Sequence, residues 1–197
     1  MRKALAVAVL ALSLSSGLTA APPITEQERQ RLLAHLDMTA AWLADEVAGL
    51  SAAQLAFHPA PDEWSIAEVL EHLVMVGQIY WEDLQTALKQ PPGDQRSRMT
   101  DAGVLWYGID RTWRDPAIPT ERPAGKLHDL RVALESYRKH HERLRQYIAT
   151  TRDDLRAHFV ERQKSDAYQW ALLTSTHEQR HVLQIREIKK DAKFPKK

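Results

Sequence analysis

The sequence predicts an all-α protein, a bundle of four long helices with one long crossover connection. Three observations carry that expectation. Four long runs place apolar residues three and four positions apart, the spacing of one helical face. No stretch alternates apolar and polar residues as a half-buried strand does. Only 7 glycines and no cysteines occur in 197 residues, few for a turn-rich chain of short strands, and no disulfide is available to staple one. An apolar content of 44% and a charged content of 27% suit an ordinary globular domain. The length is enough for one domain with a sizeable core.

Residues 1–20 read as a secretory signal. Arg2 and Lys3 make a basic start, Ala4 to Leu14 is an almost unbroken apolar run, and small residues lead to Ala20 and Ala21. That is the three-part export pattern, with an apolar run too short to span a bilayer comfortably. Cleavage is expected after Ala20; an uncleaved anchor is the alternative. The expectation is a periplasmic or secreted protein of residues 21–197, with a core over about 26–190 and no stable membrane anchor. Without Arg2 and Lys3 the 27 basic residues fall to 25 against 26 acids, a net charge near −1. No basic stripe interleaved with aromatics appears, so nucleic acid is not an expected partner. With no cysteine, a transition-metal site must use histidine and carboxylate.

The first helix is expected from Thr25 to about Leu50, with Thr25 and Glu28 as a capping box. Leu32, Leu36, Leu43 and Val47 form its stripe, and His35 lies on the stripe's edge as a boundary residue. Pro59 and Pro61 then block helix. Ser65 caps a second helix from Ile66 to about Lys89, with Glu68 at the capping-box position and Trp64 placed to staple onto the first turn. His72 lies on the edge of its apolar face. The short connector predicts that these two helices are antiparallel neighbours.

Residues 94–125 are read as an irregular crossover with one short helix over Thr100–Gly108. It serves either as a lid or to pack Trp106 and Trp113 over a bundle end. The third long helix is expected from Leu127 to Thr150, with His141 inward and His140 outward. Residues 153–164 are a connection with one helical turn around Leu155 and Phe159. Ser165 or Asp166 caps the last helix, about Ala167 to Lys190.

On that last helix Trp170, Leu173, Thr174, His177, His181, Gln184, Ile185 and Ile188 share one stripe. Two imidazoles four residues apart on a buried face need partners. A divalent metal held by His177, His181 and His72 would supply one, leaving positions open for water or substrate. A histidine pair hydrogen-bonded to Thr174, Tyr80 or Tyr137 is the alternative.

Two segments carry a family resemblance. Trp64-Ser65-Ile66 through His72-Leu73 resembles the early signature of the DinB-like superfamily. His177-Glu178-Gln179-Arg180-His181 followed by Gln184-Ile185 resembles its C-terminal H-x-x-x-H motif. The resemblance implies a four-helix bundle and a divalent metal, usually zinc or nickel, held by His72, His177 and His181. It also implies a metal-dependent transferase or hydrolase acting on a small molecule, some members being thiol-dependent. An export signal fits intracellular thiol cosubstrates poorly. A non-catalytic metal- or ligand-binding bundle is the alternative, and a homodimer is left open.

His177 to His181 also match H-E-x-x-H, the zinc-peptidase pattern with Glu178 as general base. That reading is disfavoured. Gln184 and Glu187 stand where the extended pattern needs Gly and His, and residues 182–197 hold no histidine. Glu178 lies roughly 80–100° round the helix from the histidines, as a water-orienting group or a surface glutamate. Glu178 and His141 are the candidate acid/base residues; a core histidine against Tyr137 is the other reading of His141.

Overall fold

The computed structural model describes residues 23–114, 116–126 and 129–196. The expected signal segment and Leu127 lie outside the described residues. Among the described residues there are six α-helices: α1 (Glu26–Val47), α2 (Ala52–Leu55), α3 (Ile66–Leu88), α4 (Asp101–Ile109), α5 (Leu130–Thr150) and α6 (Ala167–Lys189). A 3-10 turn covers Pro119–Glu121. Two short antiparallel strands, β1 (Phe159–Val160) and β2 (Ser165–Asp166), form a hairpin before α6. The expected four long helices are α1, α3, α5 and α6.

The helix starts follow their capping chemistry. Thr25 with Glu28 and Ser65 with Glu68 form reciprocal capping boxes at α1 and α3. Asp166 caps α6, accepting from the Gln169 amide at 2.7 Å. α5 begins at Leu130, later than expected, because the Asp129 carboxylate accepts from the Arg131 and Val132 amides and so forms its cap. α2 and the hairpin were not expected. Four residues and two residues are too short to show a period.

Each of α1 and α3 packs against both α5 and α6. α1 and α3 therefore sit on a diagonal of the bundle, which corrects the expectation that they are side by side. Residues 48–65, with α2 and the proline-rich turn, are long enough to cross the bundle end. α4 packs along α6, and that makes α6 the central element. It is buried on nearly every side, from Ala167 through Val182.

The core has two apolar clusters. One contains Leu36, Val76, Leu144 and Leu173; the other contains Leu43, Leu73, Tyr137 and Val182. Between them the bundle helices turn polar: Thr39 on α1, His141 on α5, and Ser175 to His181 on α6, all buried. His72 joins the same level from α3, one residue before Leu73. Buried polar groups need partners, so this layer is where chemistry concentrates.

The 94–125 connection carries the expected short helix as α4, but one of its two readings, the Trp residues packed over a bundle end, is not seen. α4 meets α6 through Val104 and Gly108, while Trp106 and Trp113 are 62% and 68% exposed rather than packed over a bundle end. A Cβ at Gly108 would lie 2.9 Å from Thr176 Cβ and 3.1 Å from its carbonyl, so only glycine permits this approach. The connection returns to α3 where the Ala124 and Lys126 amides donate to the buried Glu71 carboxylate. Among the described residues no helix is long and apolar enough to cross a membrane.

Candidate metal centre

Three imidazoles meet in the polar layer. One ring nitrogen from each of His72, His177 and His181 lies within 4.8 Å of the others. His177 Nε2 is 3.3 Å from His72 Nε2 and 3.1 Å from His181 Nε2. His72, expected at a helix edge, is only 2% exposed, because the crossover connection covers it.

The tautomers follow from the outer partners. His72 Nδ1 donates to the Glu121 carbonyl at 2.6 Å, and His181 Nδ1 donates to Gln184 Oε1 at 2.8 Å. Their Nε2 atoms therefore present lone pairs inward. A proton on His177 Nε2 can serve one of its two neighbours, not both, so one close nitrogen pair is left repulsive. Burial holds all three rings below their usual pKa, for His72 against the opposing bond to Glu121. For His177 and His181 the shift is large, and the crowding of the other imidazoles, then Arg180 and Arg111, reinforces it. Protonation is thus disfavoured as a remedy. A divalent ion is favoured: two nitrogens about 2.05 Å from one ion at a tetrahedral angle lie about 3.3 Å apart. The donor set fits. The expected bonds from the histidines to Thr174, Tyr80 or Tyr137 do not form; Thr174 donates to the Trp170 carbonyl and Tyr137 to Glu178.

The three rings open into a cleft of about 970 Å³, ample for a small organic molecule. Trp64 forms one wall, its ring 5.0 Å from His72 and stacked over His181 at 6.3 Å. Tyr80 forms another, 5.5 Å from His177, and burial keeps its phenol protonated. Glu121, Arg111, Arg122 and Arg180 also line the cleft.

Glu178 and His141 lie elsewhere. The Glu178 carboxylate is 7% exposed and accepts from Tyr137 Oη and Thr39 Oγ1, both at 3.1 Å. It is neither a surface residue nor part of the histidine cleft, and burial raises its pKa. The carboxylate instead borders a separate cavity of about 20 Å³, beside His140 and His141, with room for about one water. His141 Nε2 donates to the Leu36 carbonyl at 3.1 Å and its ring lies beside Tyr137, as a core histidine would. His140, expected outward, is half-buried with its Cβ against Gly77. His35 sits at the boundary, bonded to Ser175 Oγ at 2.6 Å.

His72 and His177, 105 positions apart in sequence, thus close on one point, with ligands on the two helices named by the motifs. A profile of the DinB superfamily matches residues 24–185. The chain belongs to the DinB superfamily. This DinB-superfamily domain is 28% identical over 152 residues to the uncharacterized protein YuaE of Bacillus subtilis (strain 168), covering 74% of this chain and 89% of the relative. Among solved structures it resembles YfiT from Bacillus subtilis, with a TM-score of 0.57 at 14% identity over 88% of this chain and 94% of that one. YfiT is described as "a probable metal-dependent hydrolase with an unusual four-helix bundle topology". At this identity the likeness establishes the four-helix bundle fold.

Sequence reasoning missed Glu121 and the cleft arginines. Glu121 sits in a proline-broken loop where no period points anywhere. Arg180 sits inside the H-x-x-x-H string but off its apolar stripe; it is buried only because α4 covers that side of α6.

Proposed function

We propose that this protein is a metal-dependent hydrolase of a small molecule, with one divalent ion held by His72, His177 and His181. The observation that carries the reading is the convergence of three neutral Nε2 donors on the wall of an open cleft. Three protein ligands leave a position for water or substrate, the arrangement of catalytic sites. An ion bound there would supply Lewis-acid chemistry, polarising a substrate oxygen and lowering the pKa of water. The chain's own residues do the rest. Glu121 and Gln184 orient two of the rings, Trp64 and Tyr80 wall the cleft, and the Tyr80 phenol offers a protonated donor. The description of YfiT supports hydrolysis over transfer. Zinc and nickel are the proposed metals, and the signal-like residues 1–20 support an exported protein acting in the periplasm or outside the cell.

The test is a hydrolysis panel of small esters, amides and phosphoesters with metal-stripped, zinc-loaded and nickel-loaded protein. Turnover restored by metal and absent in His177→Ala is expected. A metal-loaded protein silent over the whole panel contradicts the hydrolase reading.

A further inference from the structure

The cleft is lined by five basic and five acidic side chains, but two of its arginines, Arg122 and Arg180, form no ion pair with a carboxylate among the described residues. Arg180 is 5% exposed, on the α6 turn between His177 and His181. Its guanidinium donates to the carbonyls of Tyr107, Asp110 and Trp113 and, among the described residues, is in no ion pair with a carboxylate. Those carbonyls lie at and just past the C-terminus of α4, so they fix the arginine in place and offset only part of its charge. Arg122 follows Glu121, whose carbonyl holds His72. Its Nε donates to the Ala117 carbonyl at 3.0 Å, and the exposed residue lines the cleft.

The acids around the cleft are largely committed elsewhere. Glu187 holds Arg111 through both oxygens and Glu63 holds Arg114. Glu121 pairs with Arg162 at 3.3 Å. Asp62 is exposed, and Asp191 accepts from the Lys193 amide beyond α6, next to Lys190. The three histidines are neutral donors, so an ion among them would keep its full double charge. Among the described residues neither arginine is in contact with a carboxylate, although Arg180 feels Asp110 and Glu187 at longer range; neutral ligands, a divalent ion and two such arginines favour an anion.

We propose that the substrate is a small organic anion whose carboxylate or phosphoryl group is gripped by Arg122, with Arg180 as a fixed positive charge behind it and the scissile group over the histidines. This assignment rests on the metal-centre reading above. Arg122 supplies a planar fork matched to two oxygens of either group. Arg180 contributes its field and a wall that does not move.

The test is calorimetric titration of the purified protein with three probes of similar size: benzoate, phenylphosphonate and uncharged benzamide. Each is run on zinc-loaded and metal-stripped wild type and on zinc-loaded Arg122→Gln, whose exposed position leaves the fold intact, as far-UV circular dichroism would verify. At least one anion should bind zinc-loaded wild type about ten-fold or more tighter than benzamide, and Arg122→Gln should lose about ten-fold of that affinity. The tighter of benzoate and phenylphosphonate identifies the group carried. Equal binding of benzamide and both anions overturns the proposal. So does unchanged anion affinity in Arg122→Gln, which would mean that the anions sit on the metal alone. The two readings fail separately. Stoichiometric zinc without anion preference sinks only the anion site; anion preference lost in Arg122→Gln, in a protein that takes up no zinc, sinks only the metal centre.

Discussion

Replacing Glu178 separates a peptidase-like site from a bundle-centred one. Its Oε2 accepts two hydrogen bonds, from Tyr137 and Thr39, deep in the bundle. A glutamine oxygen can accept both, so Glu178→Gln should stay within about 1 kcal/mol of wild type at pH 7, or exceed it. Glu178→Ala strips the buried Tyr137 hydroxyl of its acceptor, Thr39 keeping the His35 and Leu36 carbonyls within reach, and enlarges the adjoining cavity, a loss of roughly 2–4 kcal/mol. At about 2–4 °C per kcal/mol for a domain of this size, its Tm should fall by roughly 4–16 °C. The pH dependence has a definite sign. Burial raises the carboxyl's folded-state pKa above 4.5, so the folded protein holds this proton more tightly than the unfolded chain. The stability from that difference is greatest at acid pH and is lost as pH rises from about 4.5 through the folded-state value. Glutamine cannot ionise and should not show this decline. Thermal melts of the three proteins between pH 4 and 8, with zinc content measured in parallel, make the assay. Loss of zinc or of hydrolysis in Glu178→Gln would restore the general-base role and refute the placement. An alanine variant as stable as wild type would refute the buried network.

Three further outcomes follow from the same geometry. Adding zinc to metal-stripped protein at about 100 times its Kd should stabilise it by about 2.7 kcal/mol, raising Tm by roughly 5–11 °C; a differential scanning melt with and without chelator checks this, and an equal rise in His177→Ala would contradict it. In the metal-stripped protein, the three histidines' contribution to folding stability should be full above about pH 6.5 and be lost as pH falls through their lowered folded-state values, because the unfolded chain then takes up protons that the buried rings refuse. Gly108→Ala should destabilise by about 1–2 kcal/mol despite alanine's better helix propensity, since the new methyl meets the Thr176 backbone; a denaturant midpoint equal to or above wild type would show that α4 is not seated so closely.

How far the sequence speaks depends on whether burial leaves a periodic mark. α1, α3 and α5 each bury one face, so their apolar spacing and capping boxes located them to within a few residues. α6 buries nearly all its faces under α1, α3 and α4, and its polar residues Gln169, Ser175, Thr176 and Arg180 are buried as well. A single stripe could reveal its two histidines but not the opposite side, which is why Glu178 was open to reading as a surface residue. His72 looked marginal for a related reason. On its own helix it borders the apolar face, and the residues that cover it come from the loop around Glu121, far away in sequence. The order of the helices around the bundle was hidden too. A connector's composition limits its length, not which corner it reaches, and α1 and α3 came to lie across from each other.

The central claim is that His72, His177 and His181 act together as one metal site, and metal content tests it most directly. The wild-type protein and the variants His72→Ala, His177→Ala and His181→Ala are each stripped, reloaded with zinc or nickel, desalted and analysed for bound metal per chain, with circular dichroism to verify folding. About one ion per chain in wild type, lost or greatly weakened in every folded variant, is the predicted result. A wild type that retains no divalent ion, or any single variant that still holds a full equivalent, would contradict it.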